Sequence, residues 1–184
     1  FLFTAVGPLS SANSLVGTNA NDRVGSDPLG GLQQLSGGDF VITSPNWNDG
    51  RGAVTFFTAA NAPSKLLGPV GAGNSLVGTT GGGPAGDRVG TYSPDGDEVT
   101  ITDLGAGNYA VVSRYWNNGA AANAGAVTLV NTTVGTPTGA VSDGTGTVSI
   151  VNSIVGTTTG DSIGGSNGFS FGGGVYPLDG DRFA

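Results

Sequence analysis

The chain has no cysteine, no methionine and no histidine among its 184 residues. The absence of cysteine excludes a disulfide framework, a thiolate nucleophile and a zinc–thiolate site. The absence of histidine removes the commonest general acid–base group at neutral pH, and with it the Ser-His-Asp and Cys-His constellations. Glu98 is the single glutamate and lies in a turn-like acidic run, so a carboxylate pair for glycoside hydrolysis has no support. The sequence therefore predicts a protein that is not an enzyme.

Charge is scarce as well, at 10% of residues against about 25% in an ordinary globular domain. The formal net charge is −7, and the six basic residues are scattered singly: Arg23, Arg51, Lys65, Arg88, Arg114 and Arg182. Because no patch of them can neutralise several phosphates at once, we expect neither a nucleic-acid partner nor an anionic membrane surface. No apolar run approaches the roughly 20 residues that span a bilayer, so we expect no membrane insertion.

Glycine, by contrast, is abundant, with 36 residues, accompanied by 9 prolines and by many valines and threonines. This mixture is typical of short strands separated by tight turns. Abundant Thr, Asn and Gly with very little Lys and no Cys favours an extracellular or cell-surface location. The sequence shows neither a signal peptide nor an initiator methionine, and we expect a processed or excised piece.

The strongest signal is an internal repeat. One phrase, Asn-Ser-Leu/Ile-Val-Gly-Thr, stands at 13–18, 74–79 and 152–157. A second phrase follows each copy, Asp-Arg-Val-Gly at 22–25 and 87–90 and Asp-Ser-Ile-Gly at 161–164. The first two copies extend further, since residues 35–50 align with 104–119 and Gly-Ala-Val-Thr at 52–55 aligns with 125–128. Recurrence of this many identities in a fixed order indicates tandem units.

These phrases divide the chain into four predicted parts: the end of a preceding repeat at 1–10, repeat 1 at 11–71, repeat 2 at 72–142 and an incomplete repeat 3 at 143–184. Both chain ends fall inside a repeat. We therefore expect either a window on a longer array or a subunit that its neighbours complete.

Each copy reads as four short strands: in repeat 1, one at 14–16, one leading up to Leu35, one at 39–44 and one at 53–58. No helical period of convincing length is present. The sequence predicts an all-β fold of four-stranded antiparallel repeat units resembling β-propeller blades, with a β-solenoid or a strand-complemented filament subunit as alternatives. Because one unit cannot bury both of its faces, the expected partners are adjoining repeats or copies of the chain itself.

The phrases Asn-Ser-Leu-Val-Gly-Thr, Asp-Arg-Val-Gly, Phe-Val-Ile-Thr-Ser-Pro-Asn-Trp and Gly-Ala-Val-Thr resemble the tandem repeats of large secreted bacterial adhesins of the filamentous-haemagglutinin-like kind. That resemblance implies a surface-associated repeat protein without catalytic activity. The order Leu-x-Gly-x-Asp-Phe-Val-Ile-x-x-Pro, followed by Gly-Ala-Val-Thr, is more distantly similar to the FG-GAP blades of integrin-type propellers. Those blades often carry a Ca²⁺ loop of alternating acids, and no copy here has a full Asp-x-Asp-x-Asp loop.

The best candidate metal ligands are Asp95, Asp97 and Glu98, because calcium binds six to eight oxygens and alternating acids converge on one point. Asp103 is a possible fourth ligand. The competing and favoured interpretation is a solvated turn, since Pro-Asp-Gly at 94–96 is turn chemistry. We expect no cofactor apart from this weak calcium candidate. Asp-Gly-Asp at 179–181 offers only two acidic side chains, and this segment predicts a turn.

The candidate ligand-binding residues are Trp47 and Trp116, each followed by Asn and Gly, with Arg114 and Tyr115 beside Trp116. Sugars stack on aromatic rings while amides bind their hydroxyls, so surface glycans are a possible partner. Recurrence at one repeat position favours packing between units instead. The Asp-Arg pairs at 22–23 and 87–88 recur in the same way, which predicts that their carboxylates cap the N–H groups of a turn.

The sequence thus predicts a structural or adhesive extracellular repeat protein, part of a surface fibre or adhesin built from stacked β units. The alternative is a propeller-like module that binds carbohydrate or another ligand.

Overall fold

The computed structural model describes residues 7–26, 31–58, 66–91, 100–105, 107–131, 141–165, 177–178 and 182–183. This part of the chain is almost entirely β, which confirms the predicted fold class. Its strands are β1 Leu15–Val16, β2 Leu32–Gln34, β3 Phe40–Ser44, β4 Ala53–Phe57, β5 Gly68–Pro69, β6 Leu76–Val77, β7 Ile101–Gly105, β8 Asn108–Ser113, β9 Ala126–Asn131, β10 Val141–Ser142, β11 Gly146–Thr147, β12 Ile154–Val155, β13 Pro177–Leu178 and β14 Arg182–Phe183. The helical segments in it are one turn, α1 Trp47–Gly50, and a 3₁₀ turn, Gly83–Ala85. Neither is long and apolar enough to cross a membrane.

The first sheet is built on the hairpins β2–β3–β4, which are antiparallel throughout. Strands form here because β3 and β4 are rich in Val, Ile, Thr and Phe, residues that pack well on a pleated surface. Phe40 and Phe57 lie directly opposite each other, and their rings stack with centroids 5.3 Å apart. Cross-strand aromatic pairs of this kind stabilise one register against a slip.

The second sheet repeats this arrangement in the aligned copy, with β7, β8 and β9 antiparallel. β8 pairs with β9 from Asn108 opposite Asn131 to Ser113 opposite Ala126. A bulge between Asp103 and Gly105 shifts the register of β7. The same phrases therefore fold into the same strands in both copies.

The phrase Asn-Ser-Leu/Ile-Val-Gly-Thr forms a strand that closes the sheet of the preceding copy. β6 pairs antiparallel with β4, and β12 pairs antiparallel with β9. A hydrogen bond between two buried hydroxyl groups holds each closing strand in place. The Oγ1 of Thr55 lies 2.7 Å from the Oγ of Ser75, and the Oγ1 of Thr128 lies 2.7 Å from the Oγ of Ser153. Parallel pairing then adds β11 to the outer side of β6, while β1 and β5 form a separate two-stranded parallel sheet. The first sheet thus takes strands from all three predicted repeats.

The sheets stack with apolar layers on both of their faces. One core cluster joins the two sheets and includes Phe56 stacked on Tyr109 at 5.5 Å. A second cluster covers the opposite face of the first sheet and is formed by Trp47, Ala53, Val70 and Val77 with Leu15 and Val24. A third covers the outer face of the second sheet and is formed by Ala110, Val112 and Val127 with Leu104, Leu129 and Ile163. Each fully buried Val, Leu, Ile or Phe side chain in these clusters contributes about 1.5–3 kcal/mol to the free energy of unfolding, so the copies stabilise one another.

Gly52 and Gly125 stand at equivalent positions just before β4 and β9, where the next copy approaches most closely. Both have positive φ, 76° and 77°. A Cβ at Gly52 would lie 2.2 Å from the backbone N of Val89, and one at Gly125 would lie 2.2 Å from that of Ile163. Backbone cannot yield as a flexible side chain can, so only glycine fits.

We expect Gly52→Ala and Gly125→Ala each to lower the free energy of unfolding by at least about 2 kcal/mol, because left-handed strain and a backbone clash add. Guanidinium denaturation followed by circular dichroism measures this. Gly73→Ala is the matched control, since no atom lies within 4 Å of the added Cβ and no positive φ is required. A Gly52→Ala midpoint equal to that of Gly73→Ala would contradict the close approach.

Candidate functional site

A fully buried carboxylate lies at the junction between the two sheets. Asp87 follows the strand that closes the first sheet and is 0% exposed. Its Oδ2 accepts hydrogen bonds from the N–H groups of Thr79 at 2.7 Å and Thr80 at 2.8 Å. Its Oδ1 accepts from the backbone N–H of Asn117 at 2.9 Å and from the Nδ2 of the same residue at 2.8 Å. One carboxylate therefore joins its own loop to the turn of the next sheet.

The same arrangement recurs at Asp22, one copy earlier. Oδ2 of Asp22 accepts from the N–H groups of Thr18 and Asn19, and its Oδ1 accepts from the N–H of Asn48 at 2.8 Å. These contacts confirm that the recurring aspartates cap a turn. The backbone N–H that donates to each Oδ1 belongs to the residue after a recurring tryptophan, Trp47 or Trp116.

In the third copy Asp161 is exposed and accepts from the N–H groups of Thr157 and Thr158 at 2.8 and 2.9 Å. Its Oδ1 accepts from the hydroxyl of Thr158. Hydrogen bonds from the Thr158 hydroxyl and from both backbone amides hold the pKa of Asp161 below its usual value. The capping half of the arrangement is thus present in all three copies.

Backbone hydrogen bonds also join the loop that contains each capping aspartate to the sheet of the preceding copy. The N–H of Arg88 donates to the carbonyl of Gly50 at 2.9 Å, and that of Gly78 donates to Gly52 at 3.1 Å. At the next junction Ser162 donates to Asn123 at 3.0 Å and Gly156 donates to Gly125 at 3.0 Å. We call residues 78–89 and 156–163, together with the turns they contact, the repeat junctions. In each repeat junction, backbone hydrogen bonds join the loop of one copy to the residues just before β4 or β9 of the preceding copy.

Local sequence explains the shape of the turns in the repeat junctions. Asn48 and Asp49 both adopt left-handed conformations, with φ of 50° and 60°. Asn and Asp tolerate this region better than other non-glycine residues, which accounts for Asn-Asp after Trp47. Arg23, Arg88 and Ser162, each next to a capping aspartate, share positive φ of 46–48°. This conserved geometry allows Arg to be exchanged for Ser while the backbone path stays the same.

Both predicted ligand-binding tryptophans lie inside the structure. Trp47 is 7% exposed and Trp116 is 4% exposed, and each belongs to a core cluster. Their indole N–H groups have no acceptor among the described residues. In this arrangement the rings pack between copies, the alternative favoured by their recurrence, and neither presents a face on which a sugar could stack.

Arg114 and Tyr115 are half-buried in the turn that follows β8. The guanidinium groups of Arg88 and Arg114 lie 5.2 and 5.1 Å from the centroid of the Tyr115 ring. Such cation–π contacts contribute about 0.5–1 kcal/mol at exposed sites. The structure therefore brings Tyr115 together with the arginine of the preceding Asp-Arg pair, a contact that the sequence did not indicate.

The calcium candidates Asp95, Asp97 and Glu98, and likewise Asp179 and Asp181, lie outside the described residues. Within the described part of the chain, no group of three or more acidic side chains is placed to hold a metal ion. Asp103 accepts hydrogen bonds from the N–H of Gly105 at 2.9 Å and from that of Ser36, in the turn between β2 and β3, at 2.5 Å. Partial burial raises the pKa of Asp103, but these hydrogen bonds outweigh it and leave that pKa below its usual value.

A polar cleft of about 680 Å³ opens beside the first turn. Its polar lining comes from two copies, five residues of repeat 1 and one of repeat 2: Asn19, Asn21, Asn46, Asn48, Asp49 and Arg88. Amides, a carboxylate and a guanidinium can donate to and accept from a ligand rich in hydroxyl groups. None of the described residues that line the cleft is aromatic.

Sequence reasoning missed the role of the first asparagine of each phrase. The Oδ1 atoms of Asn13, Asn74 and Asn152 each accept from the N–H three residues earlier at 2.8–2.9 Å. The Nδ2 atoms donate to the carbonyl five residues earlier at 2.9–3.1 Å. The invariant Asn at the head of all three phrases was the signal, since a recurring Asn before a strand is typical of a side-chain-closed turn.

Comparison with known proteins gives one family. Residues 3–26, 34–91 and 103–165 match DUF5650, described as a repeat of unknown function. No curated protein and no solved structure matches. The second and third matched segments begin near the hairpins β2–β3 and β7–β8 and end after the repeat junction that follows. Each therefore contains the two long strands of one sheet, β3–β4 or β8–β9, and the strand that closes that sheet, β6 or β12.

We expect Asp87→Asn to lower the free energy of unfolding by about 3 kcal/mol, because a buried amide places two donors against the N–H groups that the carboxylate accepted. Asp161→Asn is the matched control; its exposed side chain makes only the capping half of these contacts, so its shift should be much smaller. Urea denaturation at neutral pH measures both. Equal midpoints for the two variants would show that the link to Asn117 adds no stability.

Proposed function

We propose, from the premise that this chain belongs to the DUF5650 repeat family, that it is a non-catalytic structural or adhesive protein. In this proposal its copies stack into part of an extracellular surface fibre or adhesin. Its partners are adjoining repeats and further copies of the same unit.

The observation that carries the proposal is the repetition of the junction contacts. The carbonyls of Gly52 and Gly125 accept from Gly78 and Gly156, 3.1 and 3.0 Å away, so each sheet receives the next copy in the same way. Units joined by identical nearest-neighbour contacts form arrays whose stability grows with the number of interfaces. A protein that spans a distance or resists pulling needs this property, and a diffusible enzyme does not.

Burial supports the same proposal. Every residue of β4 is buried, so both faces of this strand are covered, one by the second sheet and the other by side chains of the first copy. Four antiparallel strands form each closed unit, β2–β3–β4–β6 in the first sheet and β7–β8–β9–β12 in the second, as in a propeller-like blade. We propose that such blades stack face to face, and that their low charge and lack of cysteine suit an exposed fibre.

Immunogold electron microscopy of intact producing cells tests this function. An antibody raised against the 184-residue chain should label the cell exterior, with gold particles extending outward from the envelope. Brief protease treatment of intact cells should remove the label. Gold confined to the interior of sectioned cells, with none on intact cells, would refute a surface role.

The polar cleft favours a second candidate function, a carbohydrate- or ligand-binding module. Its walls come from two copies, and four of its residues are asparagines whose amides suit sugar hydroxyls. Binding there would rely on hydrogen bonds, because the neighbouring Trp47 ring is buried. An adhesin with this cleft would recognise surface glycans while the stacked sheets carry it outward.

A glycan array probed with the full chain tests the second candidate. We expect the double variant Asn19→Ala/Asn46→Ala to lose binding by about tenfold or more, since two hydroxyl-binding amides are removed while neither residue needs positive φ. Gln34→Ala, an exposed amide on β2, is the matched control. An array without signal, or equal binding by both variants, would exclude the cleft as the site.

A further inference from the structure

Residues 7–10, Gly-Pro-Leu-Ser, are a third copy of a segment that docks twice inside the structure. Each of these segments ends three residues before the recurring asparagine, the other two being Gly-Pro-Val-Gly at 68–71 and Gly-Thr-Val-Ser at 146–149. We call residues 7–10 the head. Both internal equivalents begin with a two-residue strand that pairs in parallel with the phrase strand of the preceding copy, Gly68 opposite Leu15 and Gly146 opposite Leu76.

The docked segments share one further contact. The N–H of Val70 donates to the carbonyl of Val16 at 3.0 Å, and the N–H of Val148 donates to the carbonyl of Val77 at 3.0 Å. Docking buries both valines, which are 4% and 1% exposed. Leu9, the equivalent residue of the head, is 83% exposed.

The head is already held in the shape that docks. Asn13 accepts from the N–H of Ser10 at 2.8 Å and donates to the carbonyl of Pro8 at 3.0 Å. Asn74 and Asn152 hold their own docked segments with the same two bonds. A segment fixed beforehand loses less conformational entropy on binding, so the head is preorganised for a partner.

The surface that a head fits is the outer edge of β12, which we call the tail. β12 pairs with β9 on one side and with no strand on the other among the described residues. Ile154 is 53% exposed, whereas its equivalent Leu76, which has a strand on each side, is 0% exposed. Ile150 and Val151, in the turn before it, are 68% and 76% exposed.

We propose that the head of one copy of this chain docks on the tail of a second copy and adds a parallel strand to β12. The register follows from the two segments that dock inside the structure. It places Gly7 opposite Ile154 and Pro8 opposite Val155, and the N–H of Leu9 donates to the carbonyl of Val155. The contact buries Leu9 and Ile154 together. This inference rests on the proposed stacking function and names its partner.

The head and the tail are different surfaces, so the contact is heterologous. A head-to-tail contact leaves a free head and a free tail on every dimer, and growth continues into an open chain or closes into a ring. Each copy carries a net charge of −7, so added salt should strengthen association by screening the repulsion between copies.

Sedimentation velocity of the full chain over a wide range of concentrations tests the proposal. The wild type should form a concentration-dependent series of oligomers. Leu9→Asp and Ile154→Asp should each weaken association about tenfold or more and sediment as monomers, because each places a carboxylate in the proposed apolar contact. A one-to-one mixture of the two should form dimers and nothing larger, since Leu9→Asp keeps its tail and Ile154→Asp keeps its head.

Leu32→Asp is the matched control, an apolar residue that is 58% exposed on a strand outside both surfaces. It should keep the wild-type series. Leu9→Ser and Ile154→Thr repeat the test with milder changes, and circular dichroism verifies that each variant folds. A monomeric wild type, a mixture without dimers, or an equal loss in Leu32→Asp would overturn the proposal. A monomeric wild type with surface gold labelling intact would overturn this contact alone and assign the tail to a further repeat of a longer polypeptide.

Discussion

A carboxylate removed from water must find hydrogen-bond donors for both of its oxygens, because an uncompensated buried charge is costly. At Asp87 the donors come from two different places: Oδ2 is satisfied by its own loop and Oδ1 by Asn117 of the next sheet. Neither sheet can shift without leaving the charge unpaired. The spacing of the copies, and hence the layering of the whole molecule, depends on this shared acceptor.

The apolar layers supply the bulk of the stabilisation around these polar junctions. Each of the two five-stranded sheets has a core cluster on both faces, and the cluster between them contains the stacked rings of Phe56 and Tyr109. A chain with 10% charged residues and no disulfide can hold together in this way, since every copy uses its neighbour as the missing half of its core. The hydrophobic effect drives the stacking, and the buried carboxylates decide its register.

The first turn serves both the interior and the surface. The backbone of Asn48 donates inward to Asp22, while its side chain accepts from Asn19 and lines the polar cleft. The backbone contact fixes the position of the turn whatever the side chain does. A substitution at Asn48 can therefore change the lining of the cleft while the backbone hydrogen bond to Asp22 stays in place.

The sequence by itself determined the strands, since the predicted 39–44 and 53–58 contain β3 and β4, and the recurrence of Asp before Arg or Ser determined the capping aspartates. Alternating β-branched residues and turn chemistry are local properties, readable from one stretch of chain. Only the tertiary structure decided which sheet the strand Leu76–Val77 joins, because two residues carry no information about partners that lie 22 and 24 positions earlier in the chain. It also decided that Trp47 and Trp116 face inward, since an aromatic ring beside a turn suits a core and a sugar equally until the neighbouring copy is in place.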